Sequence, residues 1–160
     1  MTDRTLYIGH NWTTGTTDLM ADNAQGLVYI NTGKASQHSS VVETLEVSLS
    51  SVEGMARLLD WLRQNTIPAR IFCEISSFES WCYESGQTQS AADYLQGQII
   101  GVTRLLEAAL SLNSSLSWSF ITPTEPDPWS RACESYFRSL VEELKASVPS
   151  AKLEFIPAKA

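Results

Sequence analysis

The chain has 160 residues, 43% apolar and 18% charged, with a net charge of -7, which predicts a single domain with a core deep enough for three layers. It has no uncharged run of about 18 apolar residues, so no membrane span is expected, and Met1-Thr-Asp-Arg4 has no apolar segment behind it and is not read as a signal peptide. Its 11 basic residues are scattered, which disfavours nucleic acid and anionic membrane as partners.

Thr5-Leu-Tyr-Ile8 is the first predicted strand, and it runs into a polar turn from Gly9 to Thr17. A short helix from Asp18 to Asn23 and a second strand, Leu27-Val-Tyr-Ile30, follow. Asn31 to Ser40 is rich in Ser, Gly and Gln without period and reads as a loop, where a doubly wound fold usually carries a whole helix. Thr44-Leu-Glu-Val-Ser-Leu49 is the third strand. Ser50-Ser-Val-Glu53 reads as a capping box, its Ser hydroxyl accepting from first-turn amides and Glu53 reaching back. The helix it opens has an apolar stripe of Val52, Met55, Leu58, Leu59 and Leu62.

Ala69-Arg-Ile-Phe-Cys-Glu-Ile75 is the fourth strand, followed by a long helical stretch ending near Leu112. Its apolar residues, Ala92, Leu95, Ile99, Val102, Leu106 and Ala109, make a narrow seam that suits either the sheet or a partner helix. Leu116-Ser-Trp-Ser-Phe-Ile121 is the fifth strand. Asp127-Pro128 then supplies an N-cap and a proline at the first helical position. The stripe Cys133, Phe137, Leu140, Leu144 and Val148 follows, Pro149 ends the helix, and Lys152-Leu-Glu-Phe-Ile156 is the last strand. Strands separated by crossover helices pair in parallel, so this alternation predicts an α/β fold with a mostly parallel sheet.

From Leu45 to Ile156 the order and spacing resemble the short-chain dehydrogenase/reductase family. Leu45-Glu-Val-Ser-Leu-Ser-Ser51, Ala56 to Arg63 and Ile71-Phe-Cys-Glu-Ile-Ser76 are similar to its third strand, next helix and fourth strand. Gln98-Ile-Ile-Gly101 resembles its Asn-x-x-Gly, Leu105 to Leu110 the end of its long helix, and Arg138 to Leu144 with Leu153 to Pro157 its final helix and strand. The resemblance implies a trimmed Rossmann fold: a doubly wound sheet of strand order 3-2-1-4-5-6 with helices on both faces. It also implies an NAD(P) site at the first turn, where Gly9, Thr13, Thr14, Gly15 and Thr16 are the cofactor-binding candidates. A fold with a trimmed nucleotide turn also resembles the structural half of polyketide-synthase ketoreductases, which lacks the cofactor.

The departures from that family bear on function. The first turn offers two glycines rather than three, with Trp12 between them, and Cys73-Glu-Ile-Ser76 replaces Asn-Asn-Ala-Gly, aiming a carboxylate at the cofactor groove. The family's catalytic Asn is matched by Gln98, and its serine by Thr122 or Thr124. Its Tyr-x-x-x-Lys falls near Trp129-Ser-Arg-Ala-Cys133, leaving Tyr136 as the only nearby phenol. Hydride transfer to a carbonyl needs a phenol to supply the proton and a lysine to lower its pKa, so these departures predict a non-catalytic domain.

Other residues leave alternatives open. Trp12-Thr-Thr-Gly-Thr-Thr17 also resembles the phosphate loop of flavodoxins, where hydroxyls and amides at a helix start hold an FMN phosphate; the plainer reading is a Thr-rich turn capping a short helix. Glu74, Phe78, Trp81 and Tyr83 lie beyond a strand's C-terminal end, where open α/β sheets bind ligands. They could hold a cationic or aromatic ligand or a partner, or could simply cover the strand ends. His10 is a weak general-base candidate, and with His38 it is too isolated to argue a metal. Three cysteines without a Cys-x-x-Cys suit reduced thiols in a cytoplasmic protein; Cys73 reads as a buried strand residue, and Cys133 near a helix start could have a lowered pKa, though no histidine can be placed beside it.

The leading expectation is a non-catalytic module that binds a ligand or a protein and needs no cofactor. The alternatives are an NAD(P)- or flavin-dependent oxidoreductase with unconventional residues, and an acidic adaptor. A homodimer is expected through the helix from about Ser90 to Leu112. Ile100, Leu105 and Leu110 lie off the seam of that helix, and Gly97, Gly101 and Ala108 would let a second helix approach.

Overall fold

The computed structural model describes residues 4–10, 14–21, 26–32, 41, 43–65, 68–79, 81 and 91–158. Six parallel strands form one sheet: β1 (Thr5–Gly9), β2 (Leu27–Asn31), β3 (Glu43–Glu46), β4 (Arg70–Glu74), β5 (Ser117–Thr122) and β6 (Lys152–Pro157). The order is β3-β2-β1-β4-β5-β6, as expected, with β1 at the centre and buried along its whole length. Chain direction reverses its progress across the sheet between β3 and β4, so the switch point lies beside β1.

The helices are α1 (Thr14–Ala21), α2 (Val52–Gln64), α3 (residues 91–112) and α4 (Pro128–Ser147). They cover the two faces unequally. Met55, Leu58 and Leu62 of α2, Val102, Leu105, Leu106 and Ala109 of α3, and Cys133, Phe137 and Val141 of α4 share one core with Leu6, Ile8, Ile71, Trp118 and Phe120. On the other face, Met20 of α1 meets Tyr7, Leu27, Tyr29, Phe72 and Ile121. Farther out on that face the strands turn polar, and Ser119 donates to Glu154 at 3.0 Å across β5 and β6. Alternation of side chains along a strand allows one face to be apolar and the other mixed in this way.

Several expectations need correction. The first helix starts at Thr14 rather than Asp18, because docking of Met20 (1% exposed) on Tyr29 and Leu27 outweighs the poor helix propensity of Thr and Gly. The third strand stops at Glu46; Val47 and Leu49 leave the ladder but stay in the core. Ser51, not Ser50, caps α2 by accepting from the Gly54 amide at 2.9 Å, and with glycine at that third position no side chain reaches back. Val52 stands at the very start of α2, ahead of the turn that meets the sheet, and is 84% exposed. Asp127 and Pro128 open α4 as expected, Asp127 and Ser130 making the reciprocal box.

The largest correction concerns α3. It is α-helical over Ala91–Leu95, π-helical over Gln96–Gly101 and α-helical again over Val102–Leu112. The wider π turn rotates the apolar face, so Ala92 is exposed while Tyr94, Leu105 and Leu110 are buried. Leu105 and Leu110 are therefore core residues and not part of an outer seam. Gly97 and Gly101 serve the same core: a Cβ on Gly101 would lie 2.7 Å from the Leu49 carbonyl, so that glycine lets the chain after β3 approach rather than a second helix.

Candidate functional site

At the C-terminal ends of β1, β4, β5 and β6 the chain encloses a cleft of about 590 Å³. Tyr7 of β1 and Glu74 of β4 form its inner wall. The parallel register sets Tyr7 opposite Phe72, so Glu74, two residues on and on the same face, reaches the Tyr7 hydroxyl. Tyr7 Oη donates to Glu74 Oε2 at 2.7 Å, and Ser76 Oγ donates to Oε1 at 2.9 Å. Burial and then the neighbouring Glu74 charge push the Tyr7 phenol well above its ordinary range, so it stays a donor. Gly15 and Thr16 from the start of α1 form a second wall, and Thr122 at the end of β5 with Thr124 just beyond it a third.

Asp127 closes the rim. Its Oδ1 accepts the Ser130 amide at 2.8 Å, and its Oδ2 accepts the amides of Phe78 at 2.7 Å and Glu79 at 3.2 Å. Burial works to raise this carboxyl, but the amides of Ser130, Glu79 and Phe78 outweigh it and hold Asp127 below the usual aspartate range. Glu79 and Glu125 complete the rim. No Lys, Arg or His lines the cleft among the described residues.

The expected site residues separate. Gly15, Thr16, Glu74, Thr122 and Thr124 come together around the cleft. Gln98 is not among the lining residues; it is buried on the π segment of α3, its Oε1 accepting the Ser76 amide at 3.0 Å. Tyr136 stands 37% exposed, its hydroxyl 3.0 Å from Thr103 Oγ1 between α3 and α4, and does not line the cleft. Phe78 and Trp81 each make an edge contact with Tyr94 and are not among the residues lining the cleft. Thr13 and Tyr83 lie outside the described residues, as does the Thr14 side chain.

Two further expectations change. Cys133 is fully buried, and desolvation raises its thiol rather than lowering it, despite the nearby helix start. Cys73 is a buried strand residue whose thiol is pushed far up, first by burial and then by Glu74. His10 is 2% exposed, and its Nε2 donates to the Trp81 carbonyl at 2.9 Å. Burial pulls it below the ordinary imidazole range against the raising effect of the Trp81 and Thr32 backbone. A ring so enclosed is a structural strut, not an accessible base. Among the described residues, no group of three or more His, Cys, Asp or Glu could hold a metal, and no helix is long and apolar enough to cross a membrane.

No protein-family model matches this chain, and no curated protein does. Solved structures do. A short-chain dehydrogenase family protein from Francisella tularensis matches with a TM-score of 0.70 at 10% identity, over 97% of this chain and 68% of the other. A short-chain dehydrogenase from Leptospira borgpetersenii with bound NAD+ matches at 0.68 and 10% identity, over 97% and 70%. The bulky-bulky ketone specific alcohol dehydrogenase from Comamonas testosteroni matches at 0.69 and 13% identity, over 97% and 71%. The chain thus has a short-chain-dehydrogenase-like Rossmann fold.

A Cβ on Gly9 would run into the Tyr7 ring and lie 2.9 Å from Glu74 Oε2, so the glycine lets β1 pack against these two side chains. Tyr7 is the residue that sequence reasoning missed; two residues before the turn glycine, it reads as ordinary strand.

Proposed function

We propose that this domain is non-reducing, a ligand- or protein-binding module built on a reductase fold. One observation carries the reading: among the described lining residues Tyr7 is the only phenol, it is bonded to the Glu74 carboxylate, and there is no lysine. A phenol whose proton is held by a carboxylate is a poor acid for a carbonyl, and a raised phenol pKa moves it farther from use at neutral pH. On α4, Cys133 is buried against Tyr94 and Tyr136 faces outward. The test is titration with NADH and NADPH by fluorescence, with a panel of ketones to follow oxidation. No saturable binding and no turnover are expected; a micromolar dissociation constant for either nucleotide overturns the proposal.

We propose further that two copies pair through the outer faces of α3 and α4. Exposed apolar side chains there, Ile100 at 42% and Leu112 at 48% on α3, support it, together with Tyr136 at 37% on α4.

A further inference from the structure

We infer that His10 is a latch released by acid: the neutral ring ties the turn after β1 to Trp81 beyond β4, and a second proton on that ring frees both. The tie lies at the C-terminal ends of the strands. His10 follows Gly9, the last residue of β1. Its Nε2 donates to the Trp81 carbonyl at 2.9 Å, 71 residues along the chain, and its ring stacks on the Trp81 indole with centroids 5.9 Å apart. Thr32, just after β2, donates its amide to the Gly9 carbonyl at 3.0 Å. Trp81 donates its own amide to the Ser77 carbonyl at 2.9 Å and meets the Tyr94 ring edge to face. His10 and Trp81 are 2% and 7% exposed, so the His10 ring reaches water only if these segments part.

A carbonyl only accepts, so Nε2 carries the proton of the neutral ring and Nδ1 is where a second proton would go. Nδ1 makes no hydrogen bond among the described residues, although the Thr32 backbone lies close enough to favour a proton on the ring. No carboxylate bears on the ring among those residues. The ionisable groups of the surrounding segments are engaged elsewhere: Glu74 and Glu79 line the cleft, and Asp127 accepts amides at its rim. The Tyr29 phenol donates to the Gly9 carbonyl and the Tyr94 phenol to the Ser76 carbonyl. The Nε2 bond survives protonation; what fails is the enclosure, because a charge there has no anion and no water. The open form takes the proton as an ordinary imidazole while the closed form resists it, so opening becomes easier as pH falls below about 6.5.

The test is amide hydrogen exchange of the full chain, followed by NMR from about pH 7 to about pH 5, where imidazoles titrate, and corrected for intrinsic rates. The Thr32 and Trp81 amides bracket the latch. Their protection should fall by up to about tenfold per pH unit below about 6.5. The amides of Ser117 and Lys152, bonded at the N-terminal ends of the strands, should lose less. The His10 ring signal, assigned against His38→Gln, should titrate below about 6.5. His10→Gln keeps a donor for the Trp81 carbonyl and takes no proton, so protection of Thr32 and Trp81 should no longer depend on pH. Equal falls at all four amides, unchanged protection at Thr32 and Trp81, or a His10 ring titrating at or above about 6.5 would each overturn the inference. The same fall in folded His10→Gln does so too. If that variant does not fold, the exchange and ring titration of the parent decide.

Discussion

Asp127 accepts the backbone amide of Phe78 at 2.7 Å while its other oxygen caps α4 through the Ser130 amide. One carboxylate thus joins the chain segment leaving β4 to the helix following β5, across the rim of the cleft. Both partners are backbone groups, so the join depends on Asp127 alone.

Asp127→Ala should lower stability by about 1–2 kcal/mol, the upper end for loss of an N-cap because Phe78 loses its acceptor too. Thermal unfolding should show a fall of roughly 3–8 °C. The pH dependence has a definite sign. The carboxyl is held below its unfolded value in the folded chain, so its contribution is fully present above the unfolded aspartate pKa of ~3.9 and is lost as pH falls through the folded value. The gap between parent and variant should be full at neutral pH and shrink on acidification below about pH 4. A gap independent of pH would mean that the charge of Asp127 contributes nothing.

Tyr7→Phe removes a buried donor and leaves Glu74 with one fewer partner. Loss of about 1–3 kcal/mol is expected in denaturant unfolding, with little change in m-value because the ring still fills its place. Unchanged stability would indicate that the hydroxyl is replaced by solvent without cost.

Gly9→Ala should be destabilising because its Cβ meets the Tyr7 ring. Tyr7→Val removes the obstacle, so the double variant should be less destabilised than the sum of the two single changes, by a coupling of about 1 kcal/mol or more. Strict additivity would show that Gly9 is needed for another reason.

The two apolar residues of α3 should behave oppositely. Leu105 is fully buried, so Leu105→Glu should abolish cooperative unfolding; Ile100 is 42% exposed, so Ile100→Glu should leave a folded chain. Light scattering at micromolar concentration then tests the proposed pairing. The parent should exceed the monomer mass of 17.7 kDa and Ile100→Glu should fall to it. A parent at the monomer mass ends the pairing proposal.

Local patterns in the chain determined the alternation of strands and helices, the cap and proline that open α4, and the stripe Met55, Leu58 and Leu62. With the right-handed crossover preference and the family resemblance, they also led to the sheet order. Each of these depends on residues within one or two turns of one another, where periodicity and capping act. What only the tertiary structure decided depends on contacts across the sheet. Helix α1 begins in a run of poor helix formers because Met20 finds a pocket on β2. The π turn at Gln96–Gly101 redirects Leu105 and Leu110 inward, and nothing in the spacing announces it. The pairing of Tyr7 with Glu74, 67 residues apart in the chain, follows from the register of β1 on β4. Glu74 could be placed near the groove from its position after a strand, but its partner could not. A side chain's period within its own strand fixes its face, and only the neighbouring strand's register fixes whom it meets there.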